Sequence, residues 1–481
     1  MKRNIFLTIT TAVLSLCIST STLKAQETTE APIDTLARAV HRLADDISVL
    51  KKIKLSGYIQ AQYQLADSVG AKSFAGGDFP STVDQRFKVR RAEFKTMYDN
   101  GKVQVVANIN VSQDGVTIKD AYGKYSEQKL KMFALTMGIF NRPFGFENPY
   151  SSGMLETPER ARMIQVLLPG ERDCGAMLTF QMPNGSALHP LKIEAGIFNG
   201  TGNAANDFDY YKDFIGNIHW NSVSKNEKIK YGIGVSYYDG GVRQGSTKVY
   251  TMKADSNGIN AFVKDDSYFN NGAVARRHYL GADGQVTIDF PFGMTTLRAE
   301  YMMGEQPSYT NGTTVSPSAM ATTTSTSYAT TTTTTSVLDT LTHLITNTST
   351  SKTVATTTTT NADTYIRKFS GGSVCLVQNI MKSKHAIVLK YDWYDPNTEV
   401  SGDAIGKAVK NTWNASYSAT NATDLKYTTI GVGYIFKFDE HTKFTLYYDM
   451  VSNETSPNLL STGFHTNLKD NVLTARVQYK F

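Results

Sequence analysis

The sequence predicts an all-β fold: an antiparallel transmembrane β-barrel of about sixteen strands, with one inward-folded loop and a short N-terminal helix. Three observations carry that expectation. From Ile53 onward the chain repeats period-2 segments of about ten to fifteen residues separated by turn residues, the pattern of an outer-membrane barrel. Its aromatic content is lopsided, 26 Tyr and 23 Phe against 3 Trp, and with 36 Gly and only 19% charged residues it suits strands and turns. No stretch after the N-terminus approaches the roughly 18 consecutive apolar residues of a membrane helix, so entry into lipid requires a closed sheet, which also satisfies every backbone group there.

Met1 to Ala25 has a basic start, an apolar core from Ile5 to Ile18 and a small residue before Gln26, which predicts a cleaved secretory signal. Loss of Lys2, Arg3 and Lys24 with it lowers the net charge from +6 to +3, too modest a balance to point to nucleic acid. Cleavage also removes Cys17, and Cys174 and Cys375 fall on strands expected to lie far apart, so both read as free thiols. Residues 26–52 come next. There Ile33, Leu36, Val40, Leu43, Ile47 and Leu50 recur at steps of three and four, a heptad seam that predicts a periplasmic helix able to form a coiled coil.

The barrel is expected over residues 53–481. Candidate strands begin near Ile53, Gln85, Lys102, Val116, Met132, Arg172, Leu191, Lys212, Lys228, Arg276, Thr295, Tyr365, Ser383, Tyr427, Thr442 and Val472. Tight turns at Asn100-Gly101, Gln128 to Lys131, Val223 to Glu227, Phe290 to Gly293 and Asp439 to Thr442 alternate with connections expected to be long. The last strand is the clearest. Leu473, Ala475, Val477, Tyr479 and Phe481 face one way, Thr474, Arg476, Gln478 and Lys480 the other. A chain stopping on Phe481 with Tyr479 two before it resembles the terminal signal read by the outer-membrane assembly machinery. The Thr-rich stretch 305–364 has little to bury, so it predicts a solvated, mobile external loop, with Asp339-Thr340-Leu341 a thin hint of glycosylation.

Charge patterning singles out a constriction loop at 141–171. Asn141-Arg142-Pro143-Phe144-Gly145 stops a strand, because Pro143 cannot donate to a ladder and Gly145 permits a turn. Thr157-Pro158-Glu159 reads as a helix start, and Arg160 and Arg162 come directly after it. Inside a barrel, Arg142, Arg160, Arg162 and Arg172 would present guanidinium forks suited to phosphate or carboxylate. On the second strand Arg86, Lys88 and Arg90 share one face. A bulge at Arg90 and Arg91 would keep Arg91, Glu93 and Lys95 from facing lipid. Parity adds Arg276, Arg298, Lys437 and Arg476 as inward candidates, and such cations in a low-dielectric tube concentrate anions.

Several stretches together resemble the phosphate-selective porin O and P family: Ile53-Lys54-Leu55-Ser56-Gly57-Tyr58-Ile59-Gln60, Phe87-Lys88-Val89-Arg90-Arg91-Ala92, Lys119-Asp120-Ala121-Tyr122, Gly138-Ile139-Phe140, Arg142-Pro143-Phe144-Gly145-Phe146-Glu147, Glu159-Arg160 and Arg172-Asp173 with Gly175. The resemblance implies a sixteen-stranded, usually trimeric channel in the outer membrane of a Gram-negative bacterium, with one loop folded inward and basic side chains guiding small anions, phosphate being a candidate among them. It calls for no cofactor. The alternatives are a structural or adhesive surface barrel and a general non-selective porin. An enzyme is not expected: the 8 His show no metal-type spacing, no Gly-x-Ser-x-Gly elbow occurs, and Gly240 to Thr247 carries Ser246 where a phosphate loop needs lysine.

Overall fold

The computed structural model describes Val40 and residues 51–202, 207, 209–309, 322–338, 345–412 and 415–481. The expected signal segment, and the expected heptad helix apart from Val40 and residues 51–52, lie outside the described residues. The barrel is the unit Ile53–Phe481.

In that unit sixteen antiparallel strands close on themselves: β1 (Ile53–Ala66), β2 (Gln85–Asp99), β3 (Val103–Ser112), β4 (Gly115–Ser126), β5 (Phe133–Asn141), β6 (Arg172–Gln181), β7 (Leu191–Phe198), β8 (Asp213–Val223), β9 (Ile229–Arg243), β10 (Val274–Phe290), β11 (Gly293–Ser308), β12 (Thr364–Asn379), β13 (His385–Asp395), β14 (Tyr427–Lys437), β15 (Thr442–Asn453) and β16 (Val472–Lys480). Each starts within two residues of its expected position. The seam joins β1 to β16, with Gln60 opposite Gln478. Phe481 extends it, since its N–H donates to the Gly57 carbonyl at 3.0 Å and the Gly57 N–H donates back at 3.1 Å. A closed ring leaves no unpaired edge, which is what a bilayer demands.

The outward face is apolar along the strands, as Ile233, Val235, Leu389, Val432 and Leu446 show by their exposure. Tyr479 and Phe481 also point outward and are exposed. Short turns cluster at one end and long connections at the other, with one exception. β3 and β4 are joined by only residues 113–114, where a long loop was expected, and Asp114 of that turn pairs with Lys88 at 3.1 Å.

The Thr-rich segment shows a regular pairing, and one further expectation, at Arg276, is corrected. In the Thr-rich segment Thr322–Leu338 and Ile345–Asn361 pair antiparallel as a two-stranded ribbon, because threonine, branched at Cβ, favours extended backbone. Arg276 faces outward, and Arg277 is the buried, inward residue of that strand, because Tyr279 and Gly281 set its inner parity.

The inner face is not uniformly polar. Tyr238, Tyr279, Phe369 and Tyr394, from β9, β10, β12 and β13, point inward and form a buried apolar cluster with residues of the inward loop. That arrangement occupies part of the lumen and gives the loop a surface to pack on.

Candidate functional site

The connection 142–171 between β5 and β6 lies inside the barrel. Arg142 and Pro143 end β5, and Gly145, at φ +63°, turns the chain inward where an L side chain would be strained and would run into the Glu300 carboxylate. Phe144 then seats fully buried between Tyr238 and Tyr279, with ring centroids 6.5 and 6.3 Å away. Gly281 makes room, since a Cβ there would come within 2.7 Å of the Phe144 ring. A short helix, α1 (Arg162–Leu167), buries Met163, Ile164, Val166 and Leu167 in the same cluster. It begins later than expected: Thr157, the anticipated cap, donates to the Glu159 carbonyl at 2.8 Å instead, and α1 has no side-chain cap.

What holds Glu159 out of a helix is charge. Arg90 grips its carboxylate with two donors at 2.7 and 2.9 Å, Arg91 adds one at 2.6 Å, and Arg476 another at 3.0 Å. Arg476 also donates to the Pro158 carbonyl at 2.6 Å. Burial by itself would raise the Glu159 carboxyl's pKa, but the three guanidiniums outweigh that and hold it well below the usual carboxylate range. A second latch closes the other end of the loop. Glu171, at φ +67°, takes Arg160, Arg172 and, at 3.6 Å, Lys119, and these cations likewise overcome burial to lower its pKa.

Both latches use a β-bulge. Opposite β1, Gln60 pairs with Arg91 and Ala61 with Val89, so Arg90 is the extra residue. Opposite β3, Asn108 pairs with Asp120 and Ile109 with Ile118, so Lys119 is extra. Each bulge turns two successive side chains inward and aims an additional cation at a loop carboxylate. The expected bulge at Arg90 and Arg91 is therefore present, with Phe87 and Phe94 outward.

The loop is tied all round. Its Gly145 N–H donates to Ser236 on β9 at 2.9 Å, and Gln60 on β1 donates to the Ser152 carbonyl at 3.2 Å. Strands eight apart in a ring of sixteen stand opposite one another, so the segment crosses the lumen. Between these anchors Arg298 holds Glu156 at 2.7 Å, Lys390 lies 3.5 Å from Glu147, and Lys443 donates to the Leu155 carbonyl at 3.0 Å.

The sequence-selected cations thus fall into groups. Arg90, Arg91 and Arg476 meet at Glu159, Arg160 and Arg172 at Glu171, with Arg172 also 3.1 Å from Asp120. Arg86 donates to Gln64 and to the Gly77 and Asp78 carbonyls and lies 3.9 Å over the Phe79 ring. Arg142 is wholly buried and donates to the Pro169 carbonyl at 2.8 Å. Arg162 is sandwiched between Phe74 and Tyr427, at 4.4 and 3.9 Å. Lys437 is exposed at the end of β14.

Beside the loop, toward the short-turn end, a cavity of about 430 Å³ is lined by Lys95, Lys124, Lys192, Asp120, Glu194 and the rings of Phe146 and Tyr150, among others. Lys192 pairs with Glu194 at 2.7 Å and Asp120 is taken by Arg172, whereas among the described residues neither Lys95 nor Lys124 has a carboxylate at ion-pair distance. Lys124 and Lys192 were not singled out in the sequence. The signal was available for Lys124, which shares its strand parity with Asp120 and Tyr122 of the Lys119-Asp120-Ala121-Tyr122 motif.

In three dimensions the chain is similar to the anion-selective porin of Comamonas acidovorans, at 10% identity over 89% of this chain and 99% of that one, with a TM-score of 0.45. It is similar to the outer membrane channel DcaP of Acinetobacter baumannii (10% identity, 89% and 97% covered, TM-score 0.46) and to the trimer form of OmpT, an outer membrane protein of Vibrio cholerae (7%, 89% and 99%, 0.43). No curated protein sequence matches it. The family model for phosphate-selective porin O and P matches residues 53–328, more than half of the chain, across the bulged strands, the inward loop and the lysine-lined cavity. This chain belongs to the phosphate-selective porin O and P family and is an outer-membrane porin.

Proposed function

We propose that the channel passes small anionic solutes by passive diffusion, with inorganic phosphate within its range. One observation carries the reading: Lys95 and Lys124 face the lumenal cavity with no carboxylate at ion-pair distance among the described residues, while the acids there are taken by Lys192 and Arg172. Uncompensated positive charge in a narrow, low-dielectric passage concentrates anions and weakens cation entry. Ten of the basic residues named from the sequence divide the work. Arg90, Arg91, Arg160, Arg172, Arg298 and Arg476 fix the loop through its acids, and Arg142 and Arg162 seat it in its packing, so the loop narrows the lumen. Arg86 and Lys88 line the wall above it. Family resemblance supports a homotrimer in outer-membrane lipid, inserted by the barrel assembly machinery.

The test is the reversal potential of the reconstituted channel in a planar bilayer under a potassium chloride gradient. Anion preference is expected, and Lys95→Glu combined with Lys124→Glu should abolish or invert it. A native channel that prefers cations, or a preference unmoved by the double substitution, overturns the reading. Adding phosphate to the chloride bath should reduce chloride current.

A further inference from the structure

Of the residues that line the lumenal cavity, His219 on β8 is the one whose side-chain type changes charge between pH 5 and pH 8. Its Nε2 lies 2.9 Å from the Asp283 carboxylate on β10, although β9 runs between their two strands. They meet because β9 is bare at that level: a Cβ on Gly234 would run into both the imidazole and the carboxylate. Gly232, next on the same inner face, likewise leaves room for the Asn221 side chain. Any larger residue at position 234 would push the ring off its partner.

An ionised carboxylate only accepts, so Nε2 carries the N–H toward Asp283, and Nδ1 is the atom left to take a second proton. The imidazole is part exposed, at 14% of its side chain, whereas Asp283 is 3% exposed. Asp283 has no lysine or arginine at ion-pair distance among the described residues, so beside a neutral imidazole its charge opposes that of Lys95 and Lys124. Other charges surround the pair. On β7, Lys192 stands opposite His219 and is bound to Glu194 at 2.7 Å. On β11, Glu300 stands opposite Asp283 and accepts from the Glu147 N–H at 2.9 Å, while Lys390 lies 3.5 Å from the Glu147 carboxylate. Arg298, two residues before Glu300, is held by Glu156. None of these cations reaches Asp283, which leaves His219 as its one source of countercharge among the described residues.

Resting on the anion-channel reading, we propose that His219 and Asp283 are a specificity-determining pair that sets how strongly anions are favoured. With the imidazole neutral, the pair carries one negative charge beside the anion cavity. A proton taken from lumenal water at Nδ1 turns it into an ion pair of no net charge. The lumen then gains one positive charge, felt strongly in a narrow, low-dielectric passage, and anion preference strengthens as pH falls. Gly234 is the positioning residue that lets the two side chains meet.

Reversal potentials of the reconstituted full chain under a potassium chloride gradient, read from about pH 8 to about pH 5, test this over a range in which ordinary carboxylates stay largely ionised. The anion-to-cation permeability ratio should rise about two-fold on acidification, as one unit charge joins two unpaired lysines, and that rise should be missing from His219→Gln. Asp283→Asn removes the same negative charge without a proton, so at the alkaline end it should already show the ratio that the native channel reaches in acid. This second variant carries the test by itself should His219→Gln fail to insert as a channel. A native ratio flat in pH, a rise kept in full by His219→Gln, or an unchanged or lower alkaline ratio in Asp283→Asn overturns the pair. The rise is a difference between two pH values, so it can fail while Lys95 and Lys124 still give the anion sign, and it can hold in a channel whose sign is inverted.

Discussion

At the scale of the residue, Glu159 is the point on which the loop turns. Its carboxylate receives four donors from three arginines carried by β2 and β16, and all but Arg90 of the four residues are more than nine-tenths buried. Replacing it with glutamine leaves three guanidiniums facing one another without a countercharge. Breaking a buried ion pair costs about 3–5 kcal/mol, so Glu159→Gln should lower the folding free energy by that order in urea titrations. Glu156→Gln, whose pair with Arg298 is about a fifth exposed, should cost distinctly less. The pH dependence has a definite sign. Glu159 and Glu171 both have pKa values depressed in the folded state, so their stabilisation is complete above the ordinary carboxylate range and is lost only as pH falls well below it. The single-channel conductance level should therefore hold steady between pH 7 and pH 5 as far as these groups set it, with the latch failing only in stronger acid.

At the scale of the element, the two bulges are devices for delivering charge. Arg90 and Lys119 each occupy a position with no partner on the neighbouring strand, and each points at a carboxylate of the same loop. Deleting Arg90 should close the bulge and leave Gln60 opposite Arg91 and Ala61 opposite Val89, so Arg86 and Lys88 still face inward while Glu159 loses two of its four donors. The deletion variant should therefore still fold into vesicles and give the folded band on unheated gels, but lose that band at a lower urea concentration than the native chain because the Glu159 latch is weakened. This bulge was legible in the sequence because strict alternation would have put Arg91 and Lys95 in lipid. The strand starts were legible for the same reason, since period 2 and turn residues are local. The latches were not. Glu159 lies 69 residues from Arg90 and 317 from Arg476, and nothing local says that a guanidinium will meet a carboxylate rather than water. The helix start at Thr157 failed because tertiary charge outweighed a good local capping pattern. The inward aromatics were equally hidden: Tyr237 and Tyr238 are adjacent, and which of them faces the lumen depends on register.

At the scale of the whole molecule, the barrel supplies a closed wall and the loop supplies its resistance. The apolar cluster around Phe144, Ile164 and Tyr279 packs the loop on the β7 to β13 side, while the arginines at Glu159 tie it to β2 and β16. The two cavity lysines share β2 and β4 with latch residues but, among the described residues, form no ion pair with the loop's acids. Narrowing and charge selection are thus assigned to different residues, which makes them separable by experiment.

Single-channel recording of Glu159→Arg tests that division most directly. Reversing the charge sets a fourth guanidinium against Arg90, Arg91 and Arg476 and should release the loop from that wall. Conductance should rise above the native level while the reversal potential stays anion-favouring, because Lys95 and Lys124 are untouched. An unchanged conductance would mean the loop does not set the passage, and a lost anion preference at raised conductance would mean the latch, rather than the lysines, sets the sign.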